Sequence, residues 1–252
     1  MSAEDPVAVH PLRGELAPAS LSFWTYLKQR RFSEAFLALN RGGRLPGFVI
    51  LRGHHFHYLT PEAARRDLPA GEWCREAALD DARLWKGMHR PVEVFRQWLE
   101  RGERAFLGGA GEDLATVFWV HDHSCIVWDQ RCRVLVGDGT WYIRDVYTRP
   151  EFRARGFFSR LQSEFIRRLG VRRVTNACDY LNERANTAWK RSGWIRYGSL
   201  ITVGLLGFKL YRWVERGGAR TRVRWFAAGP GRLLEIDGRT GAVLGVRPAA
   251  PP

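Results

Sequence analysis

The segment 150–159, PEFRARGFFS, places one glycine and two arginines directly before an amphipathic run. Gly156 permits a left-handed turn or a close approach of the backbone to a ligand. The run that follows predicts a helix over Phe157–Leu169, whose first N–H groups would point outward with the positive end of the helix dipole behind them. With charge from Arg153 and Arg155, the pattern predicts a phosphate or pyrophosphate site. The alternative is that both arginines are simply solvated.

Two strands must hold this segment in place. Thr140–Thr148 is rich in β-branched and aromatic residues and ends before Pro150, which predicts a strand. The helix after it stops at Gly170, and Val171–Ala177 has the composition of a further strand. Together these segments predict a βαβ unit with two parallel strands in right-handed connection.

A second spaced pattern lies on the next helix, predicted over Glu183–Ser192 and ended by Gly193. Both patterns are similar to motifs of the GNAT N-acetyltransferase superfamily. VYTRPEFRARGFFSRL resembles its acyl-coenzyme A motif, Arg/Gln-x-x-Gly-x-Gly/Ala, although Phe158 departs from the small residue usually found last. The second motif reads Asn-x-x-Ala-x-x-x-Tyr-x-x-x-Gly-Phe. The matching residues are Arg153, Gly156 and Phe158 in the first motif and Asn182, Ala185, Trp189, Gly193 and Trp194 in the second.

The resemblance implies a mixed α/β (α+β) fold of the GNAT type, in which a central mixed sheet with splayed parallel strands is flanked by helices. It implies acetyl-coenzyme A (acetyl-CoA), or another acyl-CoA, as co-substrate. The pyrophosphate would lie on the backbone amides of 153–158, and the main chain of 146–148 would polarise the thioester carbonyl. Asn182 would bind the pantetheine arm or the adenosine end, or would only cap its helix. The expected cofactor-binding residues are Val146, Tyr147, Thr148, Arg153, Ala154, Arg155, Gly156, Phe157, Phe158, Asn182 and Trp189.

The leaving thiolate needs a proton donor, and here the sequence departs from the family. The tyrosine of the second motif often serves as general acid, but this chain has Trp189 at that position. An indole N–H donates a hydrogen bond and does not give up its proton near neutral pH. Another tyrosine would act instead, or water and the incoming ammonium would suffice, or the domain has lost catalysis. Tyr197 is taken as the candidate among Tyr142, Tyr147, Tyr180 and Tyr197.

The sequence also leaves open which residue is the base that deprotonates the amine. Asp145 is the only carboxylate on the strand Thr140–Thr148 and is our candidate, although a pairing with one of many arginines explains it as well. His121 and His123 are alternatives, because their spacing puts both on one face of a strand. With Cys125 and Cys132 they match no zinc pattern, so no metal site is predicted. The cluster His54, His55 and His57 is assigned no role.

The rest of the chain gives a less specific organisation. We expect an N-terminal extension over 1–70, a GNAT-like domain over 71–214 and a β-containing tail over 215–252. Further strands are predicted over Phe48–Leu51, Trp73–Ala77, Ala105–Leu107, Thr116–Val120, Ser124–Trp128, Trp194–Val203 and Leu205–Trp213, a strand-turn-strand around Gly238, and helices over Leu21–Gln29, Ser33–Asn40, Asp80–Lys86 and Pro91–Gly102.

Composition limits the class of protein. The chain has 252 residues, of which 45% are hydrophobic and 26% charged, so a folded globular protein is expected. Residues 1–130 carry 16 basic and 17 acidic side chains, whereas 131–252 carry 24 and 9, so the halves have net charges of −1 and +15. This asymmetry indicates an anionic partner for the second half, unless it reflects coding bias towards arginine. Four cysteines without a CxxC pair do not suggest disulfides.

These observations favour a cytoplasmic acyl-CoA-dependent N-acyltransferase that acts on a primary amine of a small molecule or a protein. No transmembrane segment is expected, because the longest apolar run, Gly198–Phe208, is too short to span a bilayer. A GNAT-fold module without catalysis, which binds an acyl-CoA or serves in protein interaction, is the alternative. A nucleic-acid or anionic-surface binder is a third hypothesis, and the location of much of the positive charge in the cofactor motif argues against nucleic acid. The oligomeric state is left unknown.

Overall fold

The structure, a computed structural model, describes residues 23–29, 31, 35, 37–38, 49–127, 132–206, 208–217 and 220–249. These residues form a large mixed sheet, a smaller sheet and several helices. The strands are β1 (Val49–Leu59), β2 (Glu72–Glu76), β3 (Arg104–Ala110), β4 (Asp113–His121), β5 (Cys125–Val127), β6 (Cys132–Leu135), β7 (Thr140–Thr148), β8 (Arg173–Asp179), β9 (Ile195–Leu205), β10 (Phe208–Gly217), β11 (Arg220–Ala228), β12 (Arg232–Asp237) and β13 (Val243–Pro248). The helices are α1 (Phe23–Lys28), α2 (Val92–Glu100), α3 (Phe157–Leu169), α4 (Glu183–Arg191) and 3₁₀ turns at Leu79–Trp85 and Pro150–Phe152.

The large sheet has nine strands in the order β11-β10-β9-β1-β8-β7-β4-β3-β2. Among the described strands of this sheet, the only parallel pair is β7 with β8, joined through α3, and the other neighbouring strands are antiparallel. The smaller sheet has the order β13-β12-β6-β5. The predicted mixed α/β class, with a central mixed sheet and flanking helices, is confirmed.

Separate apolar clusters cover the faces of the large sheet. The face towards α3 is closed by Leu161 and Phe165 of that helix, which pack with Phe106, Phe118 and other strand residues. The opposite face is covered by the 3₁₀ helix and α2 at one end. At the other end the smaller sheet packs on it through a cluster that includes Val134, Leu234 and Trp213. The sheet is therefore buried on both faces around its parallel pair.

The predicted βαβ unit is confirmed, with β7 and α3 at the predicted bounds. β8 begins at Arg173 instead of Val171, because the backbone N–H of Val171 still bonds to the helix, at the carbonyl of Ile166 (3.1 Å). Gly170 ends α3 in the left-handed conformation that a side chain at this point would resist.

For other strands, the sequence predicted too short a length or no strand at all. β1 runs to Leu59, past the predicted end at Leu51, because its histidines are buried even though they read as polar. β6 was not predicted. The strand-turn-strand predicted around Gly238 is confirmed as β12 and β13, and the tail also contains β11, which was not predicted. Phe48, Trp128 and most of Ser33–Asn40 lie outside the described residues.

The predicted divisions after residues 70 and 214 do not coincide with breaks in the large sheet. β1, from the supposed extension, lies between β8 and β9. β10 runs through residue 214, and β11 continues the same sheet. Residues 49–59 and 208–228 therefore belong to one sheet with the βαβ unit.

No helix within the described residues is long and apolar enough to cross a membrane.

Candidate functional site

The parallel strands β7 and β8 pair over only part of their length. Their register runs from Thr140 opposite Arg173 to Ile143 opposite Asn176 and then stops. β7 continues along β4 as far as Thr148, whereas β8 continues along β1 as far as Asp179. The two strands therefore diverge, and beyond Ile143 no described strand pairs with the edge of β7 that faced β8. This is the splay that the resemblance predicted.

A bulge in β7 lies at the start of the divergence. Trp119 of β4 is opposite Arg144, but Val117 is already opposite Tyr147, so β7 has one extra residue there. Asp145, inside the bulge, has a φ of 48°, in the left-handed region that favours glycine, asparagine and aspartate. A bulge of this kind bends its strand and increases the local twist. The bulge thus accounts for the departure of β7 from β8.

The space between the diverging strands β7 and β8 leads to the beginning of α3. Between β7 and this helix, Ala154 and Gly156 adopt φ values of 60° and 80°. Backbone that alternates between right- and left-handed conformations can direct successive N–H groups into one concave anion-binding surface. Gly156 is the N-cap of α3, and no side chain caps the first turn. The N–H groups of Phe157 and Phe158 therefore have no intrahelical acceptor and remain available to an anion.

Arg153 and Arg155 are exposed beside this turn, as the sequence predicts for phosphate contacts. Nε of Arg153 donates to the carbonyl oxygen of Thr148 at 3.0 Å, and its guanidinium lies 5.7 Å from the ring centre of Tyr147. The guanidinium of Arg155 lies 5.4 Å from the ring of Phe152. Both charges are held near the end of β7, and neither has a carboxylate partner among the described ion pairs.

Asn182 occupies the N-cap position of α4. Its side-chain oxygen accepts from the backbone N–H of Ala185 at 3.1 Å. The structure therefore gives Asn182 the capping role that was the alternative to cofactor binding. Asn182 is half-buried as a residue, and its amide nitrogen is the part of the side chain that a cofactor could still contact.

Trp189 is a packing residue in this structure, with a relative exposure of 6%. Its ring centre lies 4.9 Å from that of Phe158 and 4.5 Å from that of Trp194, both edge to face. Burial raises the pKa of the Cys178 thiol, near the end of β8, to about 12, and the neighbouring Trp189 indole lowers it only slightly. Trp189 therefore closes the apolar side of the diverging strands and supplies no acid.

Asp145 makes the ion pair that was the alternative to a catalytic role. Arg90 donates to both carboxylate oxygens, at 2.7 Å and 2.9 Å, and Nε2 of His89 lies 3.0 Å from Oδ2. Burial raises the pKa of Asp145, but the hydrogen bonds from His89 and Arg90 outweigh it and hold that pKa well below its usual range. A carboxylate with so low a pKa is a poor base towards an ammonium.

Tyr197 is also unsuited to the role of general acid that the sequence predicted for it. It is buried in the cluster between the two sheets, where its hydroxyl lies 3.1 Å from Oγ1 of Thr175. Burial raises the pKa of Tyr197 above its ordinary value. An acid must reach the leaving sulfur, and this hydroxyl is enclosed by the core.

Sequence reasoning missed His89. The connection 86–91 carries it from the 3₁₀ helix to the bulge, and Arg149 fixes that connection by donating to the carbonyls of Leu84 and Lys86 (3.0 and 2.8 Å). The His89 ring stacks on Tyr147 with ring centres 4.4 Å apart. Its Nδ1 is buried and has no partner among the described residues. The signal in the sequence is only a histidine and an arginine before Pro91, too common a pattern to find the site.

The remaining histidines lie elsewhere. Nε2 of His121 accepts from Arg144 at 2.7 Å, and burial lowers its pKa to about 4, while His123 is exposed. Burial also lowers the pKa of His55 to about 2 and that of His57 to about 4. Among the described residues, no three histidine, cysteine, aspartate or glutamate side chains are arranged to hold a metal ion.

Comparison with known proteins gives fold-level similarity only. No protein-family model matches the chain, and no curated protein does. Among solved structures, a conserved protein of unknown function from Staphylococcus epidermidis is similar over 73% of this chain and 81% of its own, with 11% identity and a TM-score of 0.47. A GCN5-related N-acetyltransferase from Kribbella flavida is similar over 68% and 64%, with 13% identity and a TM-score of 0.41. A GNAT-family acetyltransferase from Colwellia psychrerythraea is similar over 67% and 62%, with 11% identity and a TM-score of 0.43. Because these values are low, the function is argued below from the chain's own geometry.

Proposed function

We propose that this protein is an acyl-CoA-dependent N-acyltransferase of the GNAT type that transfers an acyl group, most simply acetyl, to a primary amine. The observation that carries the proposal is a pair of parallel strands that diverge at a bulge and lead to an uncapped, glycine-initiated helix. An extended thioester with a diphosphate needs both features, a slot between strands for its arm and N–H donors for its phosphates.

The residues present fit such a co-substrate. The backbone amides of 154–158 would bind the pyrophosphate, with charge from Arg153 and Arg155. The pantetheine arm would lie between β7 and β8, because the edge of β7 beyond Ile143 offers N–H and C=O groups with no strand partner. The N–H groups of 146–148 on that edge would stabilise the oxyanion that forms when the amine attacks the thioester carbonyl.

Proton transfer is assigned to His89 instead of Asp145. Asp145 would remain ionised and hold the proton of His89 on Nε2, which leaves the Nδ1 lone pair as the proton acceptor. Because Nδ1 is buried in this structure, the connection 86–91 would have to move for an amine or a water molecule to reach it. The leaving thiolate would be protonated by water or by the ammonium that the incoming amine becomes when it attacks the carbonyl, since Trp189 and Tyr197 cannot serve. His89 and Tyr147 would place the amine on the side of β7 that faces the 3₁₀ helix.

Titration calorimetry with coenzyme A tests the cofactor site. Gly156→Asp adds a carboxylate where the pyrophosphate would lie, and Gly156→Asn adds nearly the same volume without charge. Both fit a left-handed φ about equally, so backbone strain is shared between the two variants. We expect wild type to bind, the Asp variant to bind at least about tenfold more weakly than the Asn variant, and all three to stay folded. Equal binding by the two variants, or no binding by wild type, would contradict the proposal.

A GNAT-fold module that binds acyl-CoA without catalysis is the second candidate. Trp189 at the position of the usual acid favours it. Release of free thiol from acetyl-CoA across a panel of amines separates the two functions, because a binding module holds the cofactor and releases no thiol. The acceptor amine and the cytoplasmic location stay predictions.

A further inference from the structure

The last strands of the large sheet have an apolar face that is exposed. Side chains alternate along β9, β10 and β11, and the register shows which of them share a face. Thr202, Tyr211 and Trp213 point to the buried face, against the smaller sheet. The other face, which we call the outer face, is defined by exposed side chains. These are Val203, Leu205, Phe208, Leu210, Val223 and Trp225, with relative exposures of 37%, 51%, 64%, 41%, 48% and 58%.

Such a face is unusual for an antiparallel sheet whose other side is buried. Exposed positions of this kind are normally polar, so strands read as apolar and polar residues in alternation. Nearer the sheet centre the same face is covered, because Leu51 and Ile201 pack with Ala35 and Leu37. Contiguous exposed apolar surface of this kind marks a binding surface for another apolar body.

The charges on the outer face indicate the chemical character of its binding partner. By register, Arg212 and Arg216 of β10 lie on the same face, and Arg212 is 6.0 Å from the ring centre of Trp225. No carboxylate belongs to this face in the described parts of β9, β10 and β11, because Glu215 points to the other side. By the same register, Lys209, Arg222 and Arg224 lie with Glu215 on the other side, so the charge of the outer face in β10 and β11 comes from Arg212 and Arg216. The partner must therefore combine apolar and anionic character.

We propose that the outer face binds the surface of an anionic lipid bilayer. Phe208, Trp225 and the neighbouring aliphatic side chains would enter the boundary between headgroups and acyl chains, where aromatic residues are favoured. Arg212 and Arg216 would contact lipid phosphates, each adding electrostatic attraction. The protein would lie on the membrane without spanning it, as apolar area combined with basic charge allows.

Two other occupants fit less well. A second copy of the chain would bring its own arginines against these arginines without any carboxylate to pair them, which is unfavourable. A nucleic acid would use the charge but not the aliphatic side chains, because bases stack on aromatic and guanidinium groups and not on valine or leucine.

Vesicle flotation with the full chain tests the proposal. The vesicles are phosphatidylcholine alone and phosphatidylcholine mixed with phosphatidylglycerol. Wild type should float with the anionic vesicles. The double variant Phe208→Ser, Trp225→Ser should bind them at least about tenfold more weakly, because two large apolar side chains no longer enter the lipid. The variant Arg212→Ala, Arg216→Ala should lose most of the preference for anionic over neutral vesicles.

The matched control is Leu79→Ser, Leu244→Ser, which removes two side chains of similar exposure, 53% and 46%, outside the outer face. It should bind as wild type does. A second measurement uses brominated phosphatidylcholine, which should quench the fluorescence of wild type more than that of Trp225→Phe. The proposal is overturned if wild type does not bind anionic vesicles, if the Phe208 and Trp225 double variant binds them equally well, or if wild type is a dimer that this variant dissociates.

Discussion

Asp145→Asn removes one charge from the candidate site and leaves its shape in place. Asparagine tolerates the left-handed φ of 48° as well as aspartate does, so the bulge in β7 is retained. The side chain is only 12% exposed, and its partners His89 and Arg90 are 22% and 25% exposed. The substitution therefore tests the ion pair itself, with little contribution from backbone strain.

The size of the effect follows from the bonds that are lost. Arg90 donates to both oxygens of Asp145, and His89 lies within hydrogen-bond distance of one of them. Asparagine keeps one acceptor oxygen and loses the charge, so a partly buried guanidinium remains without its counter-charge. Breaking a fully buried pair costs about 3–5 kcal/mol, and the partial exposure here reduces our expectation to about 2–3 kcal/mol at neutral pH. For a chain of this size that is a decrease in Tm of about 5–10 °C.

The dependence on pH gives a second, independent check. Because the folded-state pKa of Asp145 is lowered, its contribution is complete above the unfolded pKa of 3.8 and is lost as the pH falls from there towards the folded pKa. The difference in free energy of unfolding between wild type and variant should therefore shrink in acid, by up to about 1.4 kcal/mol per pH unit. Other titrating groups are common to both proteins and cancel in this difference.

The assay is denaturant unfolding of wild type and Asp145→Asn at several pH values, followed by circular dichroism. Asp122→Asn is the matched control, because its partner His123 and its own side chain are 75% and 56% exposed, and an exposed pair contributes at most about 1 kcal/mol. A cost below about 0.5 kcal/mol at neutral pH, or a difference that does not decrease in acid, would refute the assignment of Asp145 as a structural anion.

Four further outcomes are expected. The double variant Arg153→Ala, Arg155→Ala should weaken coenzyme A binding in calorimetry by about 1–3 kcal/mol and reduce the salt dependence of that binding. The control double variant Arg65→Ala, Arg66→Ala removes two arginines that are also exposed and should leave the binding unchanged. Equal losses in the two double variants would contradict the phosphate contacts. His89→Gln should lower kcat for acyl transfer about 10²-fold or more with unchanged coenzyme A affinity, and an unaltered kcat would exclude His89 as the base. Trp189→Tyr should leave the rate of thiol release from acetyl-CoA unchanged or slightly reduced, because a buried ring is replaced by a smaller one. A large rise in kcat would show that wild type lacks a general acid for the leaving thiolate. Wild-type stability should fall as the pH drops below about 6.5, because His55, His57 and His121, with pKa values lowered to about 2, 4 and 4, take up protons on unfolding. The double variant His57→Gln, His121→Gln should reduce that dependence, with His55 still contributing, and a pH-independent wild type would contradict it.

The sequence was most informative where local signals agree. β7 and α3 were predicted at their observed bounds because β-branched residues, Pro150 and two glycines mark every boundary between 140 and 170. The turn before α3 was predicted for the same reason, and Gly156 does adopt the left-handed conformation.

Features that depend on distant residues could not be predicted in this way. The strand that separates β8 from β9 comes from residues 49–59, and its buried histidines give no apolar signal. Asp145 was one of several carboxylates in a chain rich in arginine, and nothing local shows that Arg90 would reach it. His89 was missed because its position next to Tyr147 depends on the path of the connection 86–91.

The bulge at Asp145 links these observations into one argument about the site. A parallel pair stays in register unless something bends one strand, and here the extra residue in β7 lies directly after the last pair, Ile143 with Asn176. The left-handed residue in the bulge is also the anion that holds His89 and Arg90 against β7. One residue therefore opens the slot proposed for the thioester and anchors the histidine proposed as the base. Because aspartate combines tolerance of this φ with a negative charge, we expect glycine at this position to preserve the slot and lose the anchor, and a β-branched residue to disturb both.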